Sequence, residues 1–380
     1  DELFPQYHDI QNEINAYTDY DSDVFRNKII MLPCDDPLES DFLKFFALNF
    51  ERLGIKKIIS TSYSPISKKE MYGFIPDYFK STQSSYGDIT KGKVYTLSSD
   101  INGDGKINID DVSYNYLQGD GDFLSDEVSN VYDECDIVIG HPPFTLFAEF
   151  VDILIKKNKD FLIIGNTKHL NNRVLLNHVV NNKIWIGNGF KSDKSSFKIP
   201  PVLSNEFKLD TTKKKYGSRC TYDHNTDLVI SNEKTWITNI DHGIKHKPLS
   251  LMTKEENLRF NKKVGPNAKG NGKYYFHKYQ NYDAVEIPFV DAIPSNYEGL
   301  MGVPFTFLKK HCLEQFEILG IGENLDLFKL KTKMYTRDEC KDAGKIRGRS
   351  SYDLNACPVL IKNGKLSVTF DRIFIRNIMI

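Results

Sequence analysis

No apolar run in the 380 residues approaches the roughly 20 that a helix needs to cross a bilayer. The acidic, aromatic opening DELFPQYHDI lacks the basic and apolar regions of a signal peptide. The six cysteines (Cys34, Cys135, Cys220, Cys312, Cys340 and Cys357) are widely spaced, with no CxxC pair and no His/Cys cluster at zinc-ligand spacing. Reduced thiols in a cytoplasmic protein are expected. No G-x-G-x-x-G follows the first apolar strand and no G-x-x-x-x-G-K-[ST] occurs anywhere, which disfavours a dinucleotide held by its pyrophosphate and a Walker-type nucleotide site. An excess of one charge is absent too: 50 Lys/Arg face 51 Asp/Glu, so basic character can only be local. What remains is an ordinary globular composition, 40% hydrophobic and 12% aromatic, enough to bury the cores of two domains.

The first half alternates apolar runs of strand length with segments of helical spacing. KIIMLPC (Lys28 to Cys34) is followed by a helical pattern through Leu38, Phe42, Leu43, Phe45, Phe46, Phe50 and Leu53, with Asp36 as cap, Pro37 in the first position and Glu39 three beyond the cap. KKIISTSY, YNYLQGDGDF, CDIVIG, DFLIIGN, KIWIG and KTWITNI read as further strands, with helices at Phe147 to Lys156 and Asn171 to Asn181. Repeated strand and helix units imply an α/β fold with a largely parallel sheet covered on both faces. Ligands of such sheets lie outside the carboxyl ends of the strands, so the strand-ending residues carry the functional information.

One of these ends is DIVIGHPPFTLF. A [DNS]-P-P-[YFW] turn after an apolar strand marks methyltransferases that act on an exocyclic or amide nitrogen, and His141, Pro142, Pro143 and Phe144 fit it at three of four positions. A ring-conjugated amino group is a poor nucleophile, and hydrogen bonds from its two N–H groups to a side-chain acceptor and a proline carbonyl pyramidalise it for attack. The prolines stiffen the turn, and the aromatic residue stacks on a base rotated out of its helix.

Beyond this tetrapeptide the chain resembles the EcoRI-type adenine-specific DNA methyltransferase family along nearly its whole length. The resemblance is carried by DELFPQYHDI, CDDPLESDFLKFFALNFERLGIKKII, GDGDFLSDE, CDIVIGHPPFTLFAEFVDILI, DFLIIGN, NNKIWIG, YEGLMGVPFTFLKK and EQFEILG. It implies a Rossmann-like sheet, S-adenosylmethionine as methyl donor, transfer to adenine N6 by base flipping, and target recognition in the C-terminal part. Residues 1–245 would be the catalytic domain and 246–380 the recognition region. Double-stranded DNA would be the partner, alongside a cognate restriction endonuclease that forms no stable complex with the enzyme.

By position, the resemblance puts Asp35, Asp36 and Pro37 beside the donor's amino-acid or ribose portion. It gives Asp122 and Phe123 of GDGDF to the donor's adenine, as acceptor and ring cover, and Gln6 or Tyr7 to its methionine end. Two features depart from the family pattern: CDDP replaces the glycine-rich donor loop, and KKIISTSY ends without the acidic residue that holds the ribose hydroxyls. The third departure is His141, where the family has asparagine. A neutral imidazole retains one acceptor nitrogen and an imidazolium retains none, so activity should fall as pH drops through the histidine pKa. Two alternatives stay open, a DNA-binding homologue disabled by His141 and an RNA adenine methyltransferase.

DINGDGKINIDD (Asp100 to Asp111) has the spacing of an EF-hand or dockerin-like calcium loop: Asp100, Asn102 and Asp104 at one, three and five, Gly105 at six, Lys106 offering its carbonyl at seven, and Asp111 at twelve. A structural Ca2+ and a bare Gly/Asp/Asn hairpin are equally compatible with it. Basic residues cluster late in the chain, with seven Lys/Arg against three Asp/Glu between Lys331 and Arg349. Lys262, Lys263, Lys269 and Lys273, interleaved with aromatic residues, and Arg337, Arg347 and Arg349 are candidate nucleic-acid contacts. The insert Gly189 to Asp227 is a candidate loop near the substrate.

Overall fold

The computed structural model describes residues 4–37, 41–72, 88–190, 195–198, 220–223, 225–231, 234–265, 270–323, 326–348, 350 and 352–379, the side chains of 69–72, 144, 195, 220, 270 and 271 excepted. The chain divides into two compact units, Asp1–Val179 with Lys183–Gly243, and Val180–Asn182 with Ile244–Ile380. Among the described residues no helix is long and apolar enough to cross a membrane.

The strands of the first unit are β1 (Phe4–Pro5), β2 (Ile29–Leu32), β3 (Lys57–Ser62), β4 (Lys93–Leu97), β5 (Ser113–Tyr116), β6 (Ile137–Gly140), β7 (Asp160–Asn166), β8 (Trp185–Ile186), β9 (Ser195–Lys198), β10 (Cys220–Asp223), β11 (Leu228–Ser231) and β12 (Lys234–Thr238). Eight of them form one sheet in the order β5-β4-β3-β2-β6-β7-β12-β8, and the architecture is mixed α/β. The expected parallel character holds only at its centre. There β3, β2, β6 and β7 are parallel, while β4 and β5 on one side and β12 and β8 on the other run antiparallel.

The central strands are apolar at nearly every position because both faces are covered. Side chains alternate between the faces. Ile30, Leu32, Ile137, Ile139, Leu162 and Ile164 join one core with Ile10, Ile14 and Tyr17 of the helix Tyr7–Thr18 and with the phenylalanines that follow β2. On the other face lie Gly165 and the helix Phe147–Lys156. A Cβ on Gly165 would stand 2.5 Å from the Phe147 ring, so the helix seats there only because that position lacks a side chain.

The helix after β2 begins later than its cap signal implies. It runs Phe42–Leu48, breaks at Asn49, resumes over Phe50–Leu53 and is stopped by Gly54 at φ 63°. Asp36 does not cap it: its carboxylate forms a buried ion pair with Lys68 at 2.7 Å. Phe42, Leu43, Phe45, Phe46, Phe50 and Leu53 are all buried, as their spacing predicts. Leu38 and Glu39 lie outside the described residues.

A second, antiparallel sheet in the first unit has the order β1-β9-β11-β10, so the N-terminal strand pairs with the described part of the insert after β8. The second unit holds β13 (Val285–Glu286), β14 (Met301–Val303), β15 (Phe316–Gly322), β16 (Val359–Lys362), β17 (Lys365–Val368) and β18 (Arg372–Asn377). Four of these form a sheet in the order β13-β14-β18-β15, and β16 pairs with β17. Arg372 donates to Glu286 at 2.6 and 3.0 Å inside this unit, and the Tyr279 hydroxyl donates to the same carboxylate.

Candidate active site

The chain leaves β2 toward β3 on one side and returns to place β6 on the other, so the direction of winding reverses between β2 and β6. The carboxyl ends of β2, β3, β6 and β7 share one edge of the sheet. The antiparallel register brings Lys93 of β4, opposite Ser62, and Lys234 of β12, opposite Asn166, to the same edge.

The turn after β2 is stitched to β3. The Asp35 amide donates to the Thr61 carbonyl at 2.8 Å, and the Ser60 hydroxyl donates to the Asp35 carbonyl. The Asp35 carboxylate accepts from the Leu43 amide at 3.0 Å, which ties the following helix to the turn. Cys34 takes φ 58°, a left-handed conformation uncommon for a side-chain-bearing residue, and this bends the chain sharply after the strand. Asp35 and Asp36 are both buried.

The GDGDF loop is pressed onto the end of β3. Ser64 donates to the Asp120 carbonyl at 2.7 Å, and a Cβ on Gly121, which has φ 87°, would stand 2.3 Å from the Ser62 carbonyl oxygen. Only glycine permits this approach. It brings the half-buried Asp122 beside Tyr63, whose hydroxyl donates to Asp122 Oδ1 at 3.2 Å; the Leu124 amide donates to the same oxygen at 3.0 Å. Burial, with Cys34 and Asp122 nearby, pushes the Tyr63 hydroxyl well above its usual pKa, so it remains a donor. Asp122 Oδ2 has no partner among the described residues. The Phe123 ring is fully buried, edge-on to Phe150 at 5.1 Å.

The HPPF turn leaves β6 beside the turn after β2, with Pro33 packed 3.5 Å from the Cβ position of Gly140. The Pro143 carbonyl accepts from the Leu146 amide at 3.1 Å, while the Pro142 carbonyl accepts no hydrogen bond among the described residues. His141 is half-buried. Its Nε2 is 3.4 Å from Lys234 Nζ, and its ring is 6.2 Å from that of Phe197. The Phe144 side chain lies outside the described residues. After β7, His169 stacks on Phe147 at 4.4 Å, and burial lowers its pKa to about 4.

The family model described as adenine-specific methyltransferase EcoRI matches residues 1–377. The chain belongs to this family. This EcoRI-family methyltransferase is 37% identical over 327 residues to the type II methyltransferase M.EcoRI of Escherichia coli, an alignment covering 86% of the chain and 87% of that relative. M.MgeORF184P of Mycoplasma genitalium is 29% identical, with 92% of the chain and 93% of the relative covered. M.MpnI of Mycoplasma pneumoniae is 26% identical, with 92% of each covered. No solved structure matches the methyltransferase.

The other sequence-derived site residues of the methyltransferase fall in several places. Gln6 precedes the first helix and donates to Ser196 Oγ at 2.8 Å, so its amide holds β9, while the Tyr7 hydroxyl accepts from Asn49 at 3.3 Å. Pro37 lies at the end of the turn after β2. Lys262, Lys273 and Arg337 are exposed. Lys263 pairs with Asp291 at 2.8 Å, and Arg347 donates to the Leu366 carbonyl at 2.8 Å. Lys269, Arg349 and most of the Gly189 to Asp227 insert lie outside the described residues. Of the aromatic residues near them, Tyr275 and Tyr279 are buried, which removes them from a stacking surface.

The calcium expectation gains no support. The loop joins β4 to β5 as a hairpin, and its oxygens serve its own backbone. Asp100 accepts from Gly103 and Gly105, Asn102 from Asp104, and Asp104 from Lys106; Asp111 accepts from Ile101, Asn102 and Asn108. Among the described residues no group of three or more His, Cys, Asp or Glu side chains is arranged to hold a metal ion.

Sequence reading missed Tyr63, Lys68 and Lys234. Tyr63 stands at a strand end where an acid was sought, and its hydroxyl supplies a polar group there. Lys68 and Lys234 carried no local signal, because their partners Asp36 and His141 are 32 and 93 residues away.

Proposed function

We propose that the protein is a site-specific DNA adenine-N6 methyltransferase that uses S-adenosylmethionine and acts on a base flipped out of the duplex. The observation carrying this reading is the HPPF turn at the carboxyl end of β6, next to the β2 end where the winding of the sheet reverses. The parallel centre of the sheet supports a Rossmann-like methyltransferase fold, and membership of the family supports adenine as the target.

The residues present suit the donor. Asp122 offers a half-buried carboxylate oxygen without a described partner to an amino group, and Tyr63 adds a hydroxyl donor beside it. The donor supplies an electrophilic methyl group. The protein's own part is to hold the adenine amino group by two acceptors, a neutral His141 nitrogen and the Pro142 carbonyl, so that the nitrogen lone pair is free for attack. The second unit, with exposed Lys262, Lys273 and Arg337, is assigned to phosphate contact and recognition. Replacing each with alanine should reduce the salt slope of DNA binding by about one.

A second reading, binding without transfer, draws on one observation. Lys234 Nζ lies on Nε2, so in that tautomer the acceptor is already occupied. Both readings meet the same experiment. The protein is incubated with isotopically labelled S-adenosylmethionine and unmethylated genomic DNA, followed by nucleoside mass spectrometry and sequencing, with His141→Asn and His141→Ala in parallel. N6-methyladenine at one recurring motif, lost in His141→Ala and kept in His141→Asn, supports the enzyme. Transfer by His141→Asn alone supports the disabled reading, and equal rates in all three proteins remove His141 from the mechanism.

A further inference from the structure

Lys234 is the first residue of β12, and its side chain is almost wholly buried. Its register opposite Asn166 brings it to the edge where the HPPF turn emerges. There its ammonium lies 3.4 Å from His141 Nε2 and 4.3 Å from the centroid of the Phe197 ring. An ammonium has three donors and no acceptor, so the contact with Nε2 is a hydrogen bond only when that nitrogen carries a lone pair. An imidazolium in the same position would set two positive charges against each other across a few ångströms in a partly buried site.

We propose that Lys234 is a positioning residue that keeps His141 neutral and releases its acceptor to the incoming target base by shifting onto the Phe197 ring. This rests on the methyltransferase reading for the identity of the base, but not for the Lys234–His141 couple itself. Phe197 is fully buried and already faces the ammonium, so the alternative partner is in place before the base arrives. Substituting histidine for asparagine brings in a group that can ionise, and a neighbouring fixed cation opposes that ionisation.

Among the described residues, the charged and titratable groups on the flanking elements include Lys93, whose ammonium lies 4.4 Å from the centroid of the Tyr114 ring, and those after β2 and β7 and on β9. After β2, Asp35 accepts from Leu43 and Asp36 pairs with Lys68. Cys34 stands near Tyr63. After β7, His169 is stacked on Phe147, and on β9 Lys198 pairs with Asp41.

The test is a histidine-ring NMR titration of the full chain, wild type against Lys234→Met, with His141→Asn to assign the signal. Methyl transfer to DNA is followed over the same pH range. The wild-type ring should stay neutral to a lower pH than in Lys234→Met, by on the order of one to three pH units. The acid limb of methyl transfer should move by the same amount and be absent in the His141→Asn background. Lys234→Arg, which keeps the charge, should titrate as wild type does, and it serves if Lys234→Met does not fold. Coincident His141 titrations in wild type and Lys234→Met, or a charge-retaining variant that moves as far as the neutral one, overturn the proposal. A ring titration that follows residue 234 without methylation at any pH refutes the methyltransferase reading and leaves the couple standing.

Discussion

Glu13 offers a test of what burial does to this fold. It is fully buried on the first helix, where its Oε1 accepts from the Asn188 amide at 2.8 Å and the Tyr17 hydroxyl at 3.0 Å, and its Oε2 accepts from the Gly189 amide at 2.8 Å. The three donors favour the ionised carboxylate and burial favours the neutral acid; burial wins, raising the pKa from 4.5 to about 8. In the unfolded chain Glu13 ionises at its ordinary pKa with no such penalty. The folded state therefore binds an extra proton between about 4.5 and about 8. Stability is full below this window, falls as pH rises through it, and is lost above it by an amount set by the pKa difference. At about 1.4 kcal/mol per pH unit, this amounts to on the order of 5 kcal/mol. Glu13→Gln removes the titration but turns an amide N–H toward a backbone donor, a mismatch of about 1–3 kcal/mol at all pH values. Urea denaturation from pH 5 to 9 should show the variant less stable than wild type in acid, with the difference closing or inverting above pH 8. A wild-type minus variant difference that stays constant across the range would mean that the three donors, not burial, set the charge state, and would refute the reasoning.

Gly121→Ala forces a Cβ against the Ser62 carbonyl at a positive φ, so it should cost about 2–4 kcal/mol and detach Asp122 from Tyr63. Thermal denaturation and calorimetric titration with S-adenosylmethionine would register the two effects separately. In the second unit, Arg372→Met leaves Glu286 buried without its bidentate partner and should cost about 3–5 kcal/mol, whereas Arg372→Met with Glu286→Leu should recover much of the loss; chemical denaturation of the three proteins measures both. Asp111→Ala removes the acceptor of three backbone amides in the β4–β5 loop and should lower the melting temperature equally with and without calcium, as read by scanning calorimetry.

Elements whose identity depends on nearest neighbours were legible without coordinates. DFLIIGN is a strand over Asp160–Asn166, and Phe147–Lys156 is a helix, because apolar spacing reports how each side chain is buried. The HPPF turn and the family resemblance likewise rest on contiguous residues. Asp36 misled because a carboxylate before a proline has the same appearance whether it caps a helix or pairs with a lysine 32 positions later. At Phe123 the motif specifies a ring but not which side of the loop it faces, and Phe150 packs edge-on against it. The calcium-like loop has the spacing of a cation site, and its side-chain oxygens accept from its own amides.

The sequence alone determined the alternation of strands and helices, the turn that ends β6 and the family to which the chain belongs, since each is written in residues close together along the chain. Tertiary structure decided that the sheet is parallel only at its centre, that Tyr63 stands beside Asp122, and that a buried lysine touches His141. Those contacts join residues 59 and 93 positions apart. They depend on strand order and register, and no local pattern encodes either.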